Sequence, residues 1–171
     1  MSLEQLYQQV ILDHAKERHG HGMREPAAAL LMAQSHMVNP LCGDEVTLRV
    51  AVEHTPAGDV VRDVSWMGEG CSISQASTSV LYDLVLEQSP AQADELIDAF
   101  RTMVRSRGTV EPDEEVLGDA AAFAGVGRHA NRVKCAMLGW TAFEDALHRA
   151  VLAEQATAPG DRSGPANEET Q

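Results

Sequence analysis

Aromatic residues make up only 4% of this 171-residue sequence, so Leu, Val, Ala and Met must fill whatever core it has. Long apolar runs are missing too. Nothing approaches the roughly 20 consecutive apolar residues of a membrane-spanning helix, so no membrane role is expected. Positive charge is in short supply: 13 Lys and Arg stand against 26 Asp and Glu, for a net charge of −13. Non-specific nucleic-acid binding needs a basic surface and is therefore not expected. Acidity allows docking onto a basic partner and also simply aids solubility. The opening MSLEQLYQQVILDHAK puts Glu4 where a signal peptide carries basic residues, and it has no small-residue cleavage site. The chain reads as cytoplasmic, without a targeting segment. The apolar share of 44% suits one globular domain.

Cysteine is scarce and odd in number, with Cys42, Cys71 and Cys135 far apart and no CxxC pair among them. Disulfides are a poor default in a reducing compartment. The three thiols are better weighed as metal ligands, nucleophiles or small buried hydrophobes.

The element pattern tells where they sit. Leu3, Leu6, Tyr7, Val10, Ile11 and His14 recur at helical spacing, which predicts a helix over 3–17 ended by Gly20 and Gly22. Strands are expected at 33–39, 45–53 and 60–67, the last with Val60, Val64 and Trp66 on one side. The turn at Pro56-Ala57-Gly58-Asp59 makes the second and third an antiparallel hairpin. A helix follows from Cys71 to about Gln88. Ser89, Pro90 and Gln92 form a capping-box start for the next, which runs through Val104 to Gly108. Another helix is expected from Pro112 to Gly125 or Gly127, and a last one over about 131–152. Trp66, Trp140 and His14 are expected to pack inside. Residues 154–171 lack apolar periodicity and read as a disordered tail, leaving 1–153 as the domain. A small antiparallel sheet followed by a run of helices is an α+β arrangement.

Each cysteine falls where the backbone changes direction: Cys42 in a loop between strands, Cys71 at a strand-to-helix junction, Cys135 within the first turn or so of the last helix. Helix starts favour thiolate over thiol. Three gathered thiolates repel one another unless a cation sits between them, and Zn2+ takes four tetrahedral ligands. Asp44, two residues after Cys42 in an extended segment, is the preferred fourth ligand, with His129 its main competitor. Spacing leaves the alternative open that these are packing cysteines and a surface thiol.

Three segments resemble the cysteine motifs of the IscU-like iron–sulfur scaffold family: Asn39-Pro40-Leu41-Cys42-Gly43-Asp44, Gly68-Glu69-Gly70-Cys71-Ser72-Ile73-Ser74, and Arg132-Val133-Lys134-Cys135-Ala136-Met137. Leu6 to His14 is similar to the family's first helix, so the likeness covers about residues 1–152. The SUF-system branch, SufU, is the better match. The scaffold branch carries His before its third cysteine and a Leu-Pro-Pro-Val-Lys motif upstream, whereas this chain has Lys134 and no such motif. Residues 103–125 look like the segment inserted in SufU.

The resemblance implies an IscU-like fold with Zn2+ held by Cys42, Asp44, Cys71 and Cys135. Cys42 would also accept persulfide sulfur from a SufS-like cysteine desulfurase and pass it to downstream SUF assembly components. A partner ligand would replace Cys42 at the zinc during transfer. The alternative is a scaffold on which iron or an iron–sulfur cluster is held transiently by the same residues. Arg132, one helical turn before Cys135, is a candidate for stabilising thiolate or persulfide charge.

Overall fold

The computed structural model describes residues 1–157, with side chains to 153; of the disordered tail expected over 154–171, residues 154–157 continue the last helix and the part from 158 onward lies outside the described residues. The elements run α1 (Leu3–Glu17), β1 (Leu31–Asn39), β2 (Asp44–Thr55), β3 (Gly58–Glu69), α2 (Ser72–Val85), α3 (Pro90–Arg105), α4 (Glu114–Leu117), a 3₁₀ segment (Gly118–Arg128) and α5 (Ala130–Thr157). The three strands form one antiparallel sheet in the order β1-β2-β3. The fold is α+β, as the pattern predicts.

Alternation in β2 turns Val46, Leu48, Val50 and Val52 inward, all at most 4% exposed. Opposite them stand Trp66, Val64 and Val61 of β3. This corrects the expected face of β3, where Val60 was placed beside Val64 and Trp66. A register shift opposite Ala51 and Val52 inserts one residue into β3, so Val61 points inward and Val60 does not. Such a bulge flips the alternation beyond it.

Helix α5 packs on β1, β2 and α2, while α1 packs on α2 and the 3₁₀ segment. Trp140 is fully buried and stacks on Phe100 with ring centroids 4.1 Å apart. Its indole N–H donates to Ser77 Oγ at 2.9 Å. Trp66 is 1% exposed and donates to the His19 carbonyl. A Cβ on Gly139 would meet Thr78 Oγ1 at 2.3 Å, so glycine there lets α5 approach α2 closely.

The helix starts follow their capping chemistry. Ser2 with Gln5, and Ser89 with Gln92, each form a complete capping box. Two expected helices differ. The helix from Pro112 is only one turn, because Gly118 at φ +49° cannot continue it, and the chain goes on as a 3₁₀ segment to Arg128. The last helix begins at Ala130 and runs past Leu152 to Thr157.

Candidate metal centre

One end of the sheet gathers the three cysteines. The turn between β1 and β2 carries Cys42, and its shape comes from Asn39 and Gly43. Asn39 Oδ1 accepts the Leu41 N–H at 3.3 Å, and its carbonyl accepts the Cys42 N–H at 3.3 Å. Gly43 takes φ +68°, a conformation that a side chain would strain. Asp44 follows as the first residue of β2 and is completely buried, whereas Cys42 is exposed. Cys71 is the N-cap residue of α2, at the point where β3 ends, and is also exposed. Cys135 lies in the second turn of α5 rather than the first, and it is buried.

Ligating atoms of Cys42, Asp44 and Cys135 lie within 4.8 Å of one another. Cys71 Sγ joins them 3.8 Å from Asp44 Oδ2, and the Cys71 backbone N–H donates to Asp44 Oδ1 at 2.9 Å. Burial, followed by hydrogen bonds to Asp44, Cys42 and Cys71, pushes the Cys135 thiol well above its ordinary range. Deprotonating it therefore calls for a nearby cation. His129 is exposed at the end of the 3₁₀ segment and is not in this group.

Two features bear on whether a metal fits. First, the donor set of three thiols and one carboxylate matches what Zn2+ takes in a four-coordinate site. Second, the backbone leaves room for the ligands to converge. A Cβ on Gly70 would stand 2.4 Å from Asp44 Oδ1 and 2.6 Å from Ser74 Oγ. Glycine at 70 thus lets the end of β3 close over a carboxylate that has no exposure to water.

Asn39 is a residue whose role the motif alone did not reveal. It is 6% exposed and directs its amide Nδ2 at Cys135 Sγ, 3.9 Å away. The Asn-Pro pair signals a turn, but a contact across the interior to residue 135 has no signature in local sequence. Arg132 is exposed in the first turn of α5, and among the described residues its side chain has no hydrogen-bond or ion-pair partner.

A second polar cluster joins α1 to α2. His14 is buried and bridges Ser79 Oγ at 2.8 Å and Asp119 Oδ2 at 3.0 Å. His19 lies against Asp83 at 2.7 Å and Glu17 at 2.8 Å. The hydrogen bond that the His19 ring donates to Asp83 raises the His19 pKa, against the opposing effect of burial and with help from Glu17. At the start of the same helix, Tyr7 donates to Glu114, and burial together with that bond pushes its hydroxyl up to about 12.

A three-stranded antiparallel sheet with a cysteine–aspartate cluster at one end, closed by the long helix α5, defines a small α+β domain with a candidate metal centre at that end. The chain belongs to the NifU-like N-terminal domain family, whose pattern matches residues 6–150. It is 35% identical over 162 residues to an iron–sulfur cluster assembly scaffold protein IscU of Streptococcus pyogenes serotype M1, covering 95% of each chain. It is also 35% identical over 144 residues to the zinc-dependent sulfurtransferase SufU of Bacillus subtilis, covering 84% of this chain and 90% of that one. Among solved structures it is similar to a putative iron–sulfur cluster assembly scaffold protein for the SUF system from Fervidobacterium islandicum. That match has a TM-score of 0.68 at 33% identity and covers 85% of this chain and 99% of the other. The family is that of iron–sulfur cluster assembly proteins. No helix among the described residues is long and apolar enough to cross a membrane.

Proposed function

We propose that this protein is a zinc-dependent sulfur acceptor that takes persulfide sulfur from a SufS-like cysteine desulfurase. Cys42, Asp44, Cys71 and Cys135 hold the zinc. The observation that carries the reading is the asymmetry of the cluster: Asp44 and Cys135 are buried, Cys71 is exposed but sits at the start of α2, and Cys42 is exposed on a turn between strands. A thiol on a turn can reach a partner's active site, while residues within a strand or helix keep their place.

When bound, zinc supplies the positive charge that keeps the thiols deprotonated, and it does so without redox chemistry. The transfer itself follows thiol–disulfide exchange. The Cys42 thiolate attacks the outer sulfur of the desulfurase persulfide, and a new S–S bond forms. The old S–S bond breaks, the desulfurase cysteine leaves as thiolate, and Cys42 carries the persulfide to downstream SUF components. Arg132 is the candidate for stabilising its negative charge.

The B. subtilis relative's name agrees with this reading, and Lys134 in place of the scaffold branch's histidine favours it. The equally similar streptococcal relative is named a scaffold, which supports a second reading in which the same residues hold an iron–sulfur cluster. Metal and acid-labile sulfide measured in protein purified without air separate the two. About one zinc per chain and no sulfide is the expected result. Iron with matching sulfide overturns it in favour of the scaffold. In a desulfurase assay, Cys42→Ala is expected to abolish stimulation while the fold survives; full stimulation by that variant would sink the sulfur-acceptor reading.

A further inference from the structure

We propose that the cavity where α3, the 3₁₀ segment and α5 meet binds a small organic phosphate. This proposal is independent of the reading at the cysteines. The cavity has a volume of about 590 Å³, within the range of small-ligand sites. Val104, Val133 and Met137 give it an apolar base, and Arg105, Arg107, Arg128 and Lys134 line it with positive charge.

The charge pattern of the whole molecule makes this cavity stand out. The net charge is −13, so acidic partners are plentiful. Arg24, Arg49, Arg62, Arg101 and Arg149 each pair with a carboxylate. The four cations of the cavity have no hydrogen-bond or ion-pair partner among the described residues. Like charges held together without counter-charge raise the local potential and attract an anion. Three of the four are arginines, whose planar forks suit phosphate oxygens.

The backbone fixes this arrangement. A Cβ on Gly127 would stand 2.6 Å from the Val104 carbonyl oxygen, so glycine there lets the 3₁₀ segment close onto the end of α3. Arg107 takes the left-handed φ of 58°, and Gly108 follows at φ +80°. The side chain of Arg128 lies across Gly108, where an added Cβ would be 2.9 Å from its Nε. The chain thus turns back at the point where its arginines meet the one at 128. The pocket is half open, with exposed cations around an apolar base, and that shape favours a compact ligand, an anionic head on an apolar body, over a flat acidic protein surface.

Among the described residues, the histidine cluster of His14, His19 and Asp83 is the other group of metal-type ligands, but its hydrogen bonds account for it without a ligand.

The test is an amide NMR titration of the full chain, as purified, with phenyl phosphate, with inorganic phosphate and a hexaglutamate peptide as separate arms. Saturable shifts confined to 104–108, 127–134 and Met137 are expected at or below about 1 mM. Inorganic phosphate is expected at the same residues but several-fold weaker, since it leaves the apolar base uncovered. The double variant Arg105→Gln, Arg128→Gln should weaken phenyl phosphate about tenfold or more with an unchanged folded spectrum. If that variant fails to fold, Lys134→Gln should still weaken binding several-fold. No shifts at about 1 mM, or equal shifts around Lys16 and Arg18, overturn the proposal. Hexaglutamate binding here when phenyl phosphate does not would also overturn it, in favour of an acidic protein partner.

Discussion

Among the described residues there are two clusters of metal-ligand side chains, and they differ in how their polar atoms are satisfied. In the histidine cluster, every ring nitrogen of His14 and His19 has an oxygen partner at 2.7–3.0 Å. One assignment serves His14 and its neighbours: Nε2–H donates to Asp119, Nδ1 accepts the Ser79 proton, and Ser79 Oγ accepts the His19 backbone N–H at 2.8 Å. In the cysteine cluster the contacts to sulfur are long: 3.5 Å from Cys135 to the Asn131 carbonyl, 3.8 Å from Cys71 to Asp44, and 3.9 Å from Asn39 to Cys135. These are weak bonds to soft atoms. Residue types alone mark both clusters as capable of holding an ion; the quality of the hydrogen bonds separates a structural knot from a site suited to binding.

The comparison breaks most sharply at the cysteine end. Gly70→Ala drives a methyl group toward Asp44 and Ser74 and is expected to weaken zinc about 10–100-fold, measured by competition with a chromophoric chelator. Wild-type affinity in that variant would mean Asp44 is not a ligand. Next comes His14→Ala, which leaves the proton of the buried Ser79 hydroxyl without its acceptor. It should cost about 1–3 kcal/mol of stability, about 2–4 °C in Tm for each kcal/mol, with zinc content unchanged. Loss of metal in this variant would merge the two clusters into one functional unit.

The smallest effect is at His19. Its pKa is raised in the folded state, so its contribution is fully present below the unfolded value of about 6.5 and is lost as pH rises through the folded value. His19→Asn should therefore destabilise the protein more at acid pH than above neutrality. The difference should stay under about 1 kcal/mol, because the pair is partly exposed. Equal destabilisation at both pH values, in thermal melts, would remove charge from the account of this cluster.

Much of the fold was legible because it is local. Helical spacing placed α1 and α3, their Ser-x-x-Gln starts marked both capping boxes, and alternation located β2. The bulge in β3 was not legible, since it depends on which residue of β2 lies opposite. The break at Gly118 was hidden because glycine permits a left-handed turn without requiring one. The motifs pointed to four residues that the fold brings together, but their spacing did not. Asn39 reaches Cys135 only through the docking of α5. The cationic cavity was invisible for the same reason, its charges coming from three separate segments.

The distribution of those four residues along the chain has a consequence for synthesis. Cys42, Asp44 and Cys71 emerge from the ribosome early, on a sheet whose inner face still lacks its covering helix. Cys135 arrives last, on the helix that packs against β1 and β2. A truncated or stalled chain can therefore offer only part of the ligand set proposed above. Full metal retention becomes a report that translation has passed α5 and that the helix has docked.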